Sequence, residues 1–337
     1  MNRKGICYDV GRVMMGMHWR PLFDAKIVHH ELEIIKNDLH CNTVRLCGVD
    51  IDRLMVAAED ALQQGLEVWL SPEMWDKSQE ETFEYLVKAA VAAEKLYQRW
   101  PQQLVFSVGS ELTLFMQGIV QGNNFIERMN NPAFWETIKT GMHNKTLNAF
   151  LARANTAVRQ VFHGKVIYMS VPFETVDWDL FDFVGVDIYR DKRIRDSYGD
   201  LVKRYLVHNK PIIIGEFGCC TYQGAEDAGG MGWAIIDLSK APSVLQLNGD
   251  YIRDEHLQAH ELTDMLDILE AVGVEGAFVF TFVESTSPYN ENPKYDLDMA
   301  SYSLVKTFVD KQGSTYPDMT WEPKESFKAV SAYYAKH

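Results

Sequence analysis

The sequence lacks the marks of a secreted, disulfide-stabilised protein. Its 337 residues include five cysteines, an odd number without C-x-x-C spacing, which makes a poor disulfide framework and a poor zinc site. The N-terminus reaches Asp9 before an apolar signal segment can form, and no stretch approaches the roughly 18 apolar residues of a membrane-spanning helix. We therefore expect a reduced, cytoplasmic protein with no membrane partner and no bound metal.

Positive charge is scarce as well. Lysine and arginine number 33 against 47 acidic residues, which gives a formal net charge of −14. This charge repels a phosphate backbone, and the densest basic stretch, residues 190–195, is diluted by Asp191. No G-x-G-x-x-G or phosphate-binding loop follows a strand-like run. We expect no nucleic-acid partner and no organic cofactor, and the sequence carries no signal for an oligomeric state.

Short β-rich runs alternate with longer segments of helical periodicity, a pattern that indicates βα units around a parallel sheet. We predict strands at residues 5–8, 43–47, 67–71, 104–108, 165–170, 183–188, 211–215 and 277–282. Helices are predicted at residues 24–38, 51–64, 79–99, 135–161, 196–208, 256–272 and 324–335. Between the fifth and sixth strands the chain is too short for a full helix, so we expect a brief turn there. This pattern favours a single (β/α)8 TIM barrel over residues 1–337, in the α/β class.

Long connections follow three of the predicted strands. They cover residues 112–131 after strand 4, 219–253 after strand 7 and 284–322 after strand 8. Long loops in a compact domain are usually functional, and loops that leave the C-terminal ends of barrel strands lie on the active-site face. The irregular chain is therefore predicted to gather at one mouth of the barrel.

Acidic residues collect where the predicted strands end. Glu111 closes Leu-Val-Phe-Ser-Val-Gly-Ser-Glu after strand 4, and Glu216 closes Ile-Ile-Ile-Gly-Glu after strand 7. Strands 4 and 7 are nearly half the ring apart, so these two side chains should face each other across the mouth. Arg45, at the end of strand 2, is a candidate cation beside them. The other acids at strand ends are Asp9, Glu73, Asp187 and Glu284.

Two opposed carboxylates are suited to cleaving a glycosidic bond. One protonates the leaving oxygen, while the other attacks the anomeric carbon or activates water. Their pKa values must differ, since the acid has to keep its proton and its partner has to stay ionised.

These motifs resemble those of clan A retaining glycoside hydrolases, whose barrels carry an acid/base glutamate after strand 4 and a nucleophilic glutamate after strand 7. The resemblance assigns Val-Gly-Ser-Glu111 to the acid/base position and Ile-Gly-Glu216-Phe-Gly to the nucleophile position. It implies that Arg45 and Tyr189, in Gly-Val-Asp-Ile-Tyr, support the nucleophile. It also implies retention of configuration, with carboxyl groups about 5 to 5.5 Å apart, whereas a separation near 9 Å indicates inversion.

The chain departs from that clan at two points. Ser110 stands where the clan has an asparagine that contacts the sugar 2-hydroxyl, so that contact is lost or bridged by water. Thr-Phe-Val-Glu284 stands where strand 8 usually ends in a tryptophan platform, and an acid there is suited to hydrogen bonding with sugar hydroxyls. The ending Tyr-Asp-Leu-Asp-Met-Ala-Ser-Tyr also resembles poorly characterised bacterial proteins labelled abortive infection proteins.

Aromatic residues follow several strand ends, where they can stack on a sugar or pack a loop onto the barrel. Trp75, two residues past Glu73, is the best candidate for a sugar platform. The others are Trp19, Trp178, Tyr222, Trp233 and Tyr289.

Three alternatives to hydrolysis stay open. A metal-dependent sugar isomerase or lyase also gathers acids at strand ends, but no lysine or histidine stands there as its base. A non-catalytic carbohydrate-binding barrel is the second alternative, and a transglycosylase that uses the same glutamate pair is the third.

Overall fold

Eight strands close into a parallel barrel in the computed structural model, which describes residues 1–240 and 245–337. They are β1 (Arg3–Gly11), β2 (Thr43–Gly48), β3 (Glu67–Pro72), β4 (Leu104–Ser110), β5 (Lys165–Ser170), β6 (Val184–Asp187), β7 (Ile212–Phe217) and β8 (Gly276–Val279). Each strand pairs with its neighbours in chain order, and β8 closes the ring against β1. The predicted (β/α)8 TIM barrel is confirmed. The predicted end of the last strand is wrong, because the chain leaves the ladder after Val279.

Seven helices of the described chain pack around the barrel or run along its outside. They are α1 (Ala25–Asn37), α2 (Ile51–Gln63), α3 (Gln79–Tyr97), α4 (His143–Val161), α5 (Tyr198–Lys203), α6 (Glu255–Val272) and α7 (Glu325–Lys336). The predicted helix at 135–161 is wrong as one element. It divides into Ala133–Thr140 and α4, because Gly141 ends the first helix in the left-handed region, at a φ of 70°.

Local sequence signals explain several helix boundaries. The Ser78 side chain accepts a hydrogen bond from the Glu81 N–H, and the Glu81 carboxylate accepts one from the Ser78 N–H, so a capping box begins α3. The predicted brief turn between β5 and β6 is a single 3-10 turn at Trp178–Leu180. The predicted helix at 196–208 shortens to α5, and the 3-10 helix Arg204–His208 follows it.

The core lies in two layers on either side of the barrel wall. Apolar side chains between strands and helices form the larger layer, while a second cluster fills the barrel interior. Trp69, Val105, Ile167, Ile213 and Phe278 are buried in this inner cluster. The interior is therefore a packed core, and a cavity opens at the C-terminal ends of the strands.

The connections at that end carry the remaining short elements. Short helices lie at Leu112–Phe115, Phe125–Asn130 and Ala225–Ala228, and 3-10 turns at Arg195–Ser197, Gly229–Ile235, Leu238–Lys240, Pro293–Tyr295 and Leu297–Ala300. Two-stranded ladders pair Val13–Met14 with Met17–His18, Ile236–Asp237 with Gln246–Leu247, and Val305–Thr307 with Trp321–Pro323. No helix in the described part of the chain is long and apolar enough to cross a membrane.

Candidate active site

Glu111 stands at the point where β4 turns into the short helix Leu112–Phe115. Its backbone is left-handed, with φ 50° and ψ 41°, and its N–H donates to the Met169 carbonyl on β5 at 2.8 Å. A left-handed conformation is uncommon for a residue other than glycine and is often found at functional sites. The neighbouring strand thus fixes the backbone from which the Glu111 carboxyl reaches the cavity.

Glu216 lies on β7, and both of its carboxylate oxygens accept hydrogen bonds. Its Oε1 accepts hydrogen bonds from Arg45 at 3.1 Å and from Arg12 at 3.2 Å. Its Oε2 accepts the Tyr189 hydroxyl at 2.8 Å. Two guanidiniums and a hydroxyl therefore fix the orientation of this carboxyl group and place two cations beside it.

A third carboxylate completes the centre. One oxygen from each of Glu111, Asp187 and Glu216 lies within 4.8 Å of the others. Asp187, the last residue of β6, accepts hydrogen bonds from the Ser110 hydroxyl at 2.8 Å and from Arg45 at 3.3 Å. The ends of β4, β6 and β7 therefore place three acids around one point.

Glu111 and Asp187 both have raised pKa values, chiefly because burial removes water from their charged forms. The negative charges of Asp187 and Glu216 add to the effect on Glu111, whose pKa lies well above its ordinary value. The pKa of Asp187 is raised to about 8, although Arg45 and the Ser110 hydrogen bond oppose the shift. The site thus holds one carboxyl group poised to keep a proton beside one that is paired with cations.

The two arginines that contact Glu216 also contact a further buried carboxylate, Glu73. Arg12 Nε lies 2.7 Å from a Glu73 oxygen, and Arg45 contacts the other Glu73 oxygen at 3.3 Å. Ser71 also donates to Glu73, at 2.9 Å. Both arginines are almost fully buried, so Glu73 and Glu216 supply the negative charge that lets them stay there.

The other residues singled out from the sequence line the same cavity. Trp75 stacks on Phe115, with ring centroids 4.3 Å apart, and meets Trp19 edge-on. Glu284 accepts the Tyr302 N–H at 3.0 Å, and burial raises the pKa of its carboxyl group. Within the described residues, no hydrogen bond joins Trp75 or Glu284 to Glu111 or Glu216. Ser110 directly precedes Glu111 in the chain, and its hydroxyl donates to Asp187.

Sequence reasoning missed Arg12 altogether and left Asp187 among the unassigned strand-end acids. Arg12 follows directly after β1, so the signal that found Arg45, a basic residue at a strand end, was also present there. Phe280, just past β8, lies beneath the Arg12 guanidinium, which is 5.3 Å from its ring centroid. Of the other aromatic candidates, Trp19 and Trp233 line the cavity, whereas Trp178 is buried against Phe181.

The cavity above these residues has a volume of about 1060 Å³. Its lining comes from the ends of β1, β3, β4, β5, β6, β7 and β8 and from the loops that follow them. The predicted gathering of loops at one mouth is confirmed. This volume lies just above the usual range of about 300–1,000 Å³ for small-molecule sites.

No protein-family model and no curated protein sequence matches the chain. Among solved structures, it is similar to a GH113 β-mannanase from Alicyclobacillus acidocaldarius, at 15% identity over 99% of this chain and 97% of that one, with a TM-score of 0.60. A glycoside hydrolase family 5 enzyme from Prevotella bryantii B14 matches at 14% identity over 99% and 96%, with a TM-score of 0.58. A Parabacteroides merdae β-glucuronidase matches at 14% identity over 99% of this chain and 36% of that one, with a TM-score of 0.61.

The chain has the barrel fold of these glycoside hydrolases. At such low identity the similarity concerns the fold alone. The similarity gives no support to the expected likeness to proteins labelled abortive infection proteins.

Proposed function

We propose that the protein is a retaining glycoside hydrolase that uses Glu216 as nucleophile and Glu111 as general acid and then base. The observation that carries the proposal is the spacing of the pair, since their nearest carboxylate oxygens are no more than 4.8 Å apart. Retaining enzymes hold their carboxyl groups at about 5 to 5.5 Å, whereas inverting enzymes need about 6.5 to 9.5 Å to admit a water.

The reaction proceeds in two displacements. In the first, a Glu216 oxygen forms a bond to the anomeric carbon while the bond to the leaving oxygen breaks, and Glu111 gives its proton to that oxygen. In the second, Glu111 takes a proton from water, whose oxygen replaces Glu216 at the anomeric carbon. The free sugar keeps its configuration and Glu111 regains its proton.

The different surroundings of the two glutamates support this division of roles. Burial and adjacent negative charge raise the pKa of Glu111, which keeps it protonated for the first step. Arg12, Arg45 and Tyr189 all donate to Glu216, which orients its carboxyl group for attack and places two cations beside it. We further propose that Glu284 contacts a sugar hydroxyl and that Trp75 stacks on a sugar face. Ser110 acts on a sugar hydroxyl indirectly, through the Asp187 carboxyl group to which it donates.

A panel of aryl glycosides tests the proposal, because neighbours named as a mannanase and a glucuronidase do not select a sugar. We expect turnover of at least one glycoside, with proton NMR showing the same anomer in the first product as in the substrate. Glu216→Gln should lower turnover by several orders of magnitude, whereas Glu127→Gln, on the exposed face of a nearby helix, should not. Inversion, or near-native turnover in Glu216→Gln, would refute the mechanism.

One observation favours the metal-dependent alternative. Three carboxylate oxygens within 4.8 Å of each other are spaced closely enough to share an ion. However, two guanidiniums already balance the charge of Glu216, and Ser110 and Arg45 engage both oxygens of Asp187. We therefore assign the cluster to proton transfer. Activity that is lost with chelator and returns with magnesium or manganese would favour the alternative.

We also propose that residues 1–337 act as one catalytic domain in the cytoplasm without a cofactor. A non-catalytic carbohydrate-binding barrel would bind a sugar with no turnover of any aryl glycoside. A transglycosylase would give glycosylated acceptor when a second sugar or alcohol is added during turnover.

A further inference from the structure

The cavity has two chemically different sides. Every cavity-lining residue between positions 112 and 173 is apolar, in the segments that follow β4 and β5. We call this side the apolar wall, and its main members are Leu114, Phe115, Phe125, Ile126, Met129 and Phe173. On the opposite side, the chain after β8 lines the cavity with Glu284, Ser285, Thr286 and Ser287 in succession.

The apolar wall is one continuous surface. Phe115 stacks between Trp75 and Phe125, with centroid distances of 4.3 and 5.3 Å. Ile126 and Met129 are three residues apart on the helix Phe125–Asn130, so they share one face, and both are only half-buried. The surface continues to the rim, where Trp135 is 48% exposed. Apolar area of this extent left open in a cleft indicates a binding surface.

The position of Glu111 tells which part of a glycoside meets the apolar wall. The general acid must reach the oxygen that leaves with the aglycone, so the aglycone lies on the side of Glu111. Glu111 directly precedes the helix Leu112–Phe115, which contributes Leu114 and Phe115 to the wall. The sugar that Glu216 attacks then lies toward the polar side, near Arg12 and Glu284.

A second sugar is a poor occupant for this wall. Buried hydroxyl groups need hydrogen-bond partners, and each one left without a partner costs a large part of the binding energy. Apart from the Trp135 indole N–H, the wall's side chains carry no strong donor or acceptor. Carbon chains and aromatic rings, in contrast, gain from contact with such a surface.

We infer that the substrate is a glycoside with an apolar alkyl or aryl aglycone, which the wall holds beside Glu111. This inference deepens the proposed function and rests on it for the direction of the substrate. It requires no step beyond the two displacements, since the aglycone departs as an alcohol or phenol with the proton from Glu111.

The test compares methyl and n-octyl glycosides of the sugar that the aryl panel selects. Both aglycones leave as simple alcohols, so their difference in kcat/KM reports contact with the chain rather than leaving-group chemistry. Each buried methylene contributes a factor of about 4, so three or four in the wall give about a hundredfold preference for octyl. The phenyl glycoside and a disaccharide of the same sugar separate an aryl site and a second sugar site from an alkyl site.

Variants locate the preference in the wall. Ile126→Asn combined with Met129→Gln should reduce the octyl-to-methyl ratio at least tenfold, and so should Trp135→Gln at the exposed rim. Val207→Asn is the matched control, because Val207 is 73% exposed and lies outside the cavity lining. Its ratio should equal that of the wild type. Thermal unfolding confirms that each variant is folded.

The outcomes separate this inference from the proposed function. Turnover with no octyl preference, or a disaccharide preferred over the octyl glycoside, overturns the inference and leaves the hydrolase intact. If no glycoside is turned over, calorimetry with n-octyl and methyl D-glucopyranosides decides. If the octyl glycoside binds and this binding is lost in the double variant, the apolar site is supported although the proposed hydrolase activity is refuted. If the octyl and methyl glycosides bind equally weakly, the inference is overturned as well.

Discussion

Replacing Asp187 with asparagine removes the negative charge of the side chain and keeps its size and shape. Asp187 and Glu111 have oxygens within 4.8 Å of each other. Two negative charges at that distance repel each other by about 3.5 kcal/mol at an effective dielectric constant of about 20. The asparagine keeps an oxygen that can accept the Ser110 hydrogen bond, but it removes both this repulsion and the attraction between the Asp187 charge and Arg45.

The direction of the effect follows from the proton on Glu111. In the proposed mechanism, the alkaline limb of kcat/KM marks loss of that proton, and burial together with the Asp187 charge raises the pKa of Glu111. Asp187 has its own pKa raised to about 8, so its full charge is present on the alkaline side of that value. Asp187→Asn should therefore move the alkaline limb to lower pH and leave the acid limb closer to that of the wild type.

The assay is kcat/KM for an alkyl glycoside from about pH 4 to about pH 10. Ser110→Ala is the matched control, because it removes the 2.8 Å hydrogen bond to Asp187 and keeps the charge. Its alkaline limb should not move to lower pH. A limb in Asp187→Asn that stays in place, or moves to higher pH, would refute the electrostatic reasoning.

The same substitution should change how stability depends on pH. The pKa of Asp187 is raised from 3.8 to about 8 on folding, so between these values the folded state holds a proton that the unfolded chain has released. This group's contribution to stability therefore falls as pH rises through that window. The melting temperature of Asp187→Asn, relative to the wild type, should be higher near the top of the window than near its bottom. A constant difference would contradict this linkage.

Three further substitutions test separate contacts. Glu111→Ala should lower kcat for alkyl glycosides by about 10²–10⁴-fold but slow the glycosylation step of a dinitrophenyl glycoside far less, because that leaving group needs no proton; equal losses in pre-steady-state rates would argue against an acid role. Tyr189→Phe removes the 2.8 Å hydrogen bond to Glu216 and should lower kcat/KM about 10- to 100-fold, since a bond to a charged group contributes about 1.5–3 kcal/mol. An unchanged kcat/KM would show that this hydrogen bond does not contribute to catalysis. Arg12→Met leaves buried carboxylates short of a cation and should lower the free energy of unfolding by about 3–5 kcal/mol in urea titration, whereas Arg153→Met, at an exposed pair, should change it little.

The strands were predictable because they are short, largely apolar runs, and several of them end at a small residue or an acid. The sequence Ile-Ile-Ile-Gly-Glu of β7 is buried along its whole length, as a strand covered on both faces must be. Helix boundaries were harder to predict. Gly141 divides a helical pattern that periodicity alone joins, since a single glycine is also tolerated inside helices.

The glutamate pair was predictable from strand ends, but its surroundings were not. Arg12 reaches Glu216 from β1, and Asp187 reaches the same point from β6, and these contacts depend on the register and tilt of a closed barrel. The apolar wall likewise joins segments that follow β4 and β5, and no local pattern tells whether Ile126 or Phe173 packs inward or borders a cavity.

In the proposed mechanism, Glu216 becomes a glycosyl ester while Arg12 and Arg45 remain beside one of its oxygens. Once that carboxylate is esterified its negative charge is gone, and two nearly water-free guanidiniums then face a neutral carbonyl. Glu73 still contacts both guanidiniums, but the negative charge that Glu216 supplied returns only when the ester is cleaved. The covalent species should therefore be short-lived, and trapping it with a slow substrate should loosen the end of β1 that carries Arg12, which hydrogen exchange can detect.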